Sequence, residues 1–387
     1  MDLDSVRQEM PVCSTTIYLN TGWSGPSPIS VVEAVKERIE YENRLGPTSP
    51  PAYQSGKEIQ QIAKDSVASL LNVLPEEITL TQCTTDGLNT VLNGIDWNPG
   101  DEVITFGLEH SSVLIPAYHL QDRHGVTLRI LDLQPGDSRE SILNKVESVI
   151  TSRTRMLFFS HIQYTCGFRM PVKELRSLTK SKDILMLVDG AQTAGHIVLD
   201  LRELDCDFYS IPGQKWLLGP DGTGALYIRR DLIQSVSPKR VSGRAVVSYD
   251  NRGNYESDLT SMDKFLLTTM SVPLAAGLAE AIRFHKALDP NVVEKHTLDL
   301  SRRLKYDLME LPGINLLSPT DDDLSCGLTS FQVKGKEPID VVNRLWDEHG
   351  IVVRQVNELS CVRASTHIFN TVGEIEALVD AVKNFAK

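Results

Sequence analysis

Between positions 78 and 228, short apolar runs alternate with stretches whose apolar residues recur at helical spacing, the pattern of strands joined by crossover helices. Strands are expected at 78–81, 102–106, 127–131, 156–160, 184–188 and 207–210, several apolar throughout as parallel strands buried on both faces require. Leu88, Val91, Leu92 and Ile95 mark one intervening helix, and Ile142, Val146 and Ile150 another, its start expected at Asp137 with Glu140. Residues 222–228 read as one strand of a hairpin. Upstream, a strand-like run at 17–20 breaks at a turn-rich loop, 21–28. Ser30 and Glu33 then have the spacing of a capping box, with Val31, Val35 and Ile39 behind it. A second helix is expected to place Ile59, Ile62, Ala63, Val67, Leu70 and Leu71 on one face. The expected class is α/β, a doubly wound and mostly parallel sheet.

The pattern changes after about position 240. A polar segment, 242–263, precedes helices near 273–288 and 294–311, strands near 328–333 and 351–354, and a final helix from Glu374. These predict a smaller α+β C-terminal domain. The expected division is 16–260 for the large domain and 261–387, joined by 1–15, for the small one.

A chain of 387 residues, 41% hydrophobic, can bury more than one core. Its formal charge of -12 argues against nucleic acid or an anionic membrane as the main partner. Six cysteines lie apart with no C-x-x-C pair, so neither a zinc ribbon nor a disulfide framework is indicated, and no metal is expected. No basic segment followed by an apolar run opens the chain, and no stretch approaches the ~20 apolar residues of a membrane helix. The expected location is the cytoplasm.

Ligands of open parallel sheets bind beyond the carboxyl ends of the strands, so polar residues there are the candidates for chemistry. Lys215 lies between a strand and a glycine-rich turn. A desolvated lysine attacks carbonyls, and pyridoxal phosphate is the commonest carbonyl held this way; a solvated surface lysine is the competing reading. Thr84 and Thr85 open a helix, where free N–H groups suit a phosphate or where a threonine simply caps. His110 follows the next strand and could stack on a planar ring or merely hydrogen-bond. Asp189 closes the very apolar 184–188 strand, where a carboxylate suits a cation such as a pyridinium nitrogen, and Gln192 follows it closely. Arg354 and Arg363 bracket a short loop, and two guanidinium forks near one pocket suit an amino-acid substrate with one or two carboxylates. A surface ion pair is the competing reading for Arg354. The turn from Gly219 to Gly224 has the spacing of neither a P-loop nor a dinucleotide fingerprint.

Together, Thr84, Thr85, His110, the Asp189 to Gln192 stretch, Gly213 to Lys215 and the 362–371 stretch resemble the class V aminotransferase and cysteine desulfurase family of fold-type I pyridoxal-phosphate enzymes. The resemblance runs from about Ile17 to the last helix. It implies the cofactor pyridoxal 5'-phosphate, bound covalently by Lys215, which also shuttles protons. It implies that Asp189 pairs with the ring nitrogen, Gln192 contacts the ring hydroxyl and His110 stacks on the ring. Thr84, Thr85 and Gln214 would hold the phosphate, with Thr269 reaching in from the second subunit of a homodimer with shared sites. Arg363 would clamp the α-carboxylate of a small amino-acid substrate.

This chain departs from its relatives in three places. Pro212 and Gln214 stand where relatives often have a hydroxyl residue and a histidine, so one phosphate ligand is missing. Gln163 and Tyr164 stand where many desulfurases have an asparagine. Only nine positions separate Arg354 from Arg363, whereas desulfurases keep a longer loop there that carries the attacking cysteine. Cys361, beside the clamp arginine, is a poor substitute. The short loop with two arginines looks like the cystine or cysteine C–S lyases, which implies β-elimination to pyruvate, ammonia and a persulfide or thiol. An aminotransferase, an amino-acid epimerase or a cysteine desulfurase is the alternative on the same scaffold, and a non-catalytic cofactor-binding protein a further one.

Overall fold

The computed structural model describes residues 2–385. Met1, Ala386 and Lys387, which the sequence reading assigned to the small domain, lie outside the described residues. The chain opens with α1 (Leu3–Gln8), β1 (Ile17–Tyr18), α2 (Ile29–Leu45) and α3 (Pro50–Leu71). An alternating region follows: β2 (Ile78–Thr81), α4 (Thr84–Gly94), β3 (Glu102–Phe106), α5 (Ser111–His124), β4 (Thr127–Leu131), α6 (Arg139–Val149), β5 (Thr154–Ser160) and α7 (Val172–Lys180). It continues with β6 (Leu185–Asp189), α8 (Leu201–Leu204), β7 (Phe208–Pro212) and β8 (Gly224–Ile228). A hairpin of β9 (Val246–Tyr249) and β10 (Tyr255–Ser257) precedes α9 (Val272–Ala287) and α10 (Pro290–Met309). The last part holds β11 (Ile314–Leu316), β12 (Leu328–Val333), α11 (Pro338–His349), β13 (Ile351–Val352), β14 (Arg354–Val356), β15 (Cys361–Ser365) and α12 (Val372–Phe385).

Seven strands form one sheet in the order β2-β8-β7-β6-β5-β3-β4. Only β8 is reversed in this sheet, antiparallel to both β7 and β2; the other strands run one way. Alternate side chains on these strands feed two cores, as a period of two requires. Leu157 and Phe159 join Val67, Leu71, Ile142, Val146 and Leu175 on one face. Met156 and Phe158 join Leu88, Val91, Leu92, Val113 and Leu120 on the other. Helices on both faces make the sheet doubly wound.

A four-stranded antiparallel sheet, β11-β12-β15-β14, carries a third core with Leu300, Leu304, Leu345, Leu378 and Val382 from α10, α11 and α12. Leu19 belongs to this third core, and β1 runs parallel to β13 beside it. Leu278 and Ile282 of α9 belong instead to the first core. No helix among the described residues is long and apolar enough to cross a membrane.

Several local expectations are corrected. Ser30 is no cap: α2 starts at Ile29, and the Ser30 N–H donates to Glu9 Oε2 at 3.0 Å, so a carboxylate from α1's end does the work assigned to the box. Helix α6 is capped by Ser138, which accepts from the Ser141 N–H at 3.1 Å, while Asp137 accepts from the Gln134 N–H at 2.7 Å. Ile39 of α2 and Ile62 of α3 are 51% and 55% exposed: α2 buries Val31 and Arg38 instead, and the N-terminal half of α3's buried face is made by the small residues Ala52, Gly56 and Ala63, with Val67 and Leu71 buried further on. The single strand expected at 351–354 is divided at Val353 between two sheets.

Candidate active site

Because β2, β3, β5, β6 and β7 run the same way, the segments leaving their carboxyl ends gather along one edge of the sheet. These segments carry Thr84, His110, Tyr164, Asp189 and Lys215. Gly224 is the Cα partner of both Thr81 and Pro212, which aligns the strand ends that lead to Thr84 and Lys215.

Asp189 is 2% exposed and accepts from the Ala191 N–H at 2.7 Å. Burial raises its pKa, an effect that the Lys215 charge opposes. Burial lowers Lys215 to about 8; Asp189 pulls it back up, while Arg363 and Arg354 push it further down. An amine held there is available as a base near neutral pH.

Helix α4 brings its free N–H groups to this edge, and Thr84 occupies its first position with a buried hydroxyl that has no partner. The Ser210 hydroxyl donates to the Thr84 carbonyl at 2.9 Å and ties the helix to β7. Gly87 permits this approach, since a Cβ there would lie 2.3 Å from Ser210 Oγ. Thr85 Oγ1 donates to Ser112 Oγ at 2.8 Å, and that hydroxyl lies 2.9 Å from His110 Nδ1. The Ser112 N–H also donates to Nδ1, at 3.1 Å, so Nδ1 is the acceptor and the imidazole is neutral. Burial, then the charges of Lys215 and Arg354, lower His110 to about 4. Its ring meets Tyr164 edge to face, centroids 4.9 Å apart.

Gln192 is fixed at both ends of its amide: Oε1 accepts from Trp216 Nε1 and Nε2 donates to the Gly22 carbonyl, both at 2.8 Å. Beside Lys215, the Gln214 Oε1 is buried without a partner. Arg363 is fully buried; its Nη1 donates to the Tyr164 carbonyl at 2.7 Å, while Nε and Nη2 have no partner. Burial first, then Arg354, lowers its pKa to about 9. Arg354 is its Cα partner on β14, with its guanidinium carbon 4.5 Å from the Trp23 ring centroid and 5.9 Å from that of Tyr164. Thr269 lies apart, exposed in the loop before α9.

Three contributors went unassigned in the sequence. Trp23 and Tyr164 flank Arg354, and no periodicity marks a loop aromatic. Glu109 is buried beneath His110, accepting from the Ser160 N–H at 3.0 Å and from Gln163 Nε2 at 2.6 Å. Burial raises it to about 7, with Asp189 adding to the effect. Its strand-end position next to His110 was the available signal. Among the described residues, no three His, Cys, Asp or Glu side chains gather so as to hold a metal ion.

A planar phosphorylated cation finds matching groups here: helix N–H donors with an unpaired hydroxyl, a buried carboxylate, a desolvated amine, and buried guanidinium donors left over for a substrate. Residues 17–378 match the family described as Aminotransferase class-V. The chain belongs to the class-V aminotransferase family. It is 28% identical over 401 residues to a probable cysteine desulfurase of Methanothermobacter thermautotrophicus, covering 100% of this chain and 98% of the other. It is 29% identical to a probable cysteine desulfurase of Halalkalibacterium halodurans, covering 99% and 98%. Among solved structures it resembles the cystine C–S lyase C-DES in complex with its product cysteine persulfide, with TM-score 0.90, 28% identity and coverage of 98% and 100%. Cysteine desulfurase CsdA of Escherichia coli gives TM-score 0.88 at 26% identity, covering 99% and 98%. The class-V chain thus has the fold-type I architecture of pyridoxal-phosphate enzymes.

Proposed function

We propose that this chain is a pyridoxal 5'-phosphate enzyme that cleaves the carbon–sulfur bond of cystine, cysteine or a related amino acid by β-elimination. The observation that carries the choice is the β14–β15 hairpin. Its loop is too short to hold a mobile nucleophile, and it sets Arg354 opposite Arg363. Cys361 at its end is buried on β15, where burial raises its thiol to about 12 and leaves it inert. The named relatives agree with chemistry at sulfur: one is a cystine C–S lyase and others are probable cysteine desulfurases.

When bound, pyridoxal phosphate supplies an electron sink for negative charge developing at the substrate α-carbon. The N-terminus of α4, with Thr84, Thr85 and Gln214, would hold the phosphate. Asp189 would face the ring nitrogen, and Gln192 and His110 would fix the ring. Thr269, exposed before α9, would serve the site of a second copy in a homodimer. Lys215 Nζ anchors the cofactor and takes the α-proton, for which an amine near pKa 8 is suited. Arg363 grips the α-carboxylate through its unpaired Nε and Nη2. Arg354 takes a second carboxylate, held by the Trp23 face so that its N–H edge stays free. Loss of the sulfur group from the β-carbon and hydrolysis then give pyruvate, ammonia and a persulfide or thiol.

The test is to incubate the cofactor-loaded protein with cystine, cysteine and cystathionine while following pyruvate, sulfide and keto-acid exchange. Pyruvate formed without an acceptor keto acid supports the lyase; strict dependence on an acceptor refutes it. Cysteine desulfuration is the second reading, favoured by Cys83, a half-buried thiol directly before α4.

A further inference from the structure

Trp216 directly follows Lys215 and is 1% exposed, although it lies in a connection between strands. Three groups hold it, two from the segment after β6 and one from beyond β15. Its indole stacks on His196, centroids 3.7 Å apart and planes within 13°. Its carbonyl lies 2.8 Å from His367 Nε2, beyond β15. Since His367 Nδ1 accepts from the Ile368 N–H, Nε2 carries the proton and donates. Its indole N–H donates to Gln192 Oε1 at 2.8 Å. His196 is locked in turn: Nε2 accepts from the Gly327 N–H, so Nδ1 donates to the Gln192 carbonyl, both at 2.8 Å.

The chemistry of the indole decides what Gln192 offers. An indole N–H can only donate, so the amide oxygen of Gln192 must face it and the NH2 must face the other way. One of the two NH2 hydrogens goes to the Gly22 carbonyl. The other has no acceptor among the described residues. Gln192, three positions beyond Asp189, therefore has a donor and not an acceptor to spare. We infer that Trp216 is a positioning residue that fixes the Gln192 amide so that its free N–H meets the oxygen substituent of the bound cofactor ring. The inference rests on the cofactor reading given above. A donor at that oxygen would favour its deprotonated form and lower the basicity of the Lys215 nitrogen once the cofactor is bound. Without the indole N–H only the Gly22 carbonyl would hold the amide in this orientation.

The test compares wild type, Trp216→Phe, Gln192→Leu and the double variant, loading each apoprotein with pyridoxal phosphate. Replacement of Trp216 by 3-benzothienylalanine, which keeps the ring shape but puts sulfur in place of the N–H, separates the hydrogen bond from packing. The inference expects both Trp216 replacements to weaken cofactor binding about tenfold, the scale of one lost hydrogen bond. It expects the pH midpoint of the visible absorption to move up by about one unit for the same reason. The double variant should be no worse than Gln192→Leu alone. An unchanged midpoint in the benzothienyl variant, or additive losses in the double variant, overturns the inference. If wild type itself binds no cofactor, the functional reading fails and the inference with it; if wild type binds and the replacements match it, only the inference fails.

Discussion

Arg354 and Arg363 stand opposite each other across β14 and β15, two like charges on neighbouring strands with Tyr164 between them. Like charges placed directly opposite are unfavourable in a bare sheet, so the pair is suited to an anion that both can reach. Arg354→Ala is expected to raise KM for dicarboxylic substrates such as cystine by about ten- to a hundredfold, the 1.5–3 kcal/mol of a charged hydrogen bond. Cysteine, with one carboxylate, should lose much less. Steady-state kinetics on the two substrates checks this, and equal losses would remove the proposed role.

Glu109 gives a pH signature. Its folded pKa of about 7 exceeds the ordinary 4.5, so between these values the folded protein keeps a proton that the unfolded chain has lost. Stability therefore falls as pH rises through that window. Glu109→Gln lacks this titration, and its stability relative to wild type should improve between pH 5 and pH 8, by on the order of 2–3 kcal/mol. Urea unfolding of the two apoproteins at several pH values measures it; parallel pH profiles would exclude the titration.

The thiols separate the two sulfur chemistries. Cys361→Ser and Cys83→Ala should both retain pyruvate formation from cystine at near wild-type kcat, since β-elimination needs no protein thiol. Loss of sulfur release in Cys83→Ala, with folding and cofactor loading intact, would favour desulfuration instead.

Gly87→Ala tests the seat of α4. The added Cβ would meet Ser210 Oγ at 2.3 Å, and overpacking of this kind costs about 1–3 kcal/mol. The helix must shift off β7, so cofactor affinity should fall along with the unfolding midpoint. Adding Ser210→Ala should recover part of both.

Much of this was legible in the chain. The strands read well because consecutive apolar residues such as those of β5 and β6 leave little alternative to burial on both faces. Asp189 and Lys215 stood out because each is a lone charge at the end of such a run, and the structure brings both to the same edge. Caps were misread where a better acceptor came from elsewhere, as Glu9 does for Ser30. On α3 the expected Ala63, Val67 and Leu71 are buried, but Ile62 is not, because the first half of that face packs through Ala52 and Gly56. Trp23 and Trp216 were invisible as site residues, since their partners Arg354 and Gln192 lie far away in sequence.

Gly224 serves as a shared ruler. Because it pairs with Pro212 on one side and Thr81 on the other, the length of the 213–223 connection sets the register of β8, and β8 in turn sets β2. A single residue inserted between Lys215 and Gly224 must either bulge within the connection or slip β8 by one position, which would turn its side chains to the opposite faces. A slip would also shift where Thr84 departs from the sheet. The lysine and the helix start opposite it are thus gauged by one strand, and a change of length tolerated in an ordinary loop would here put two distant attachment points out of step.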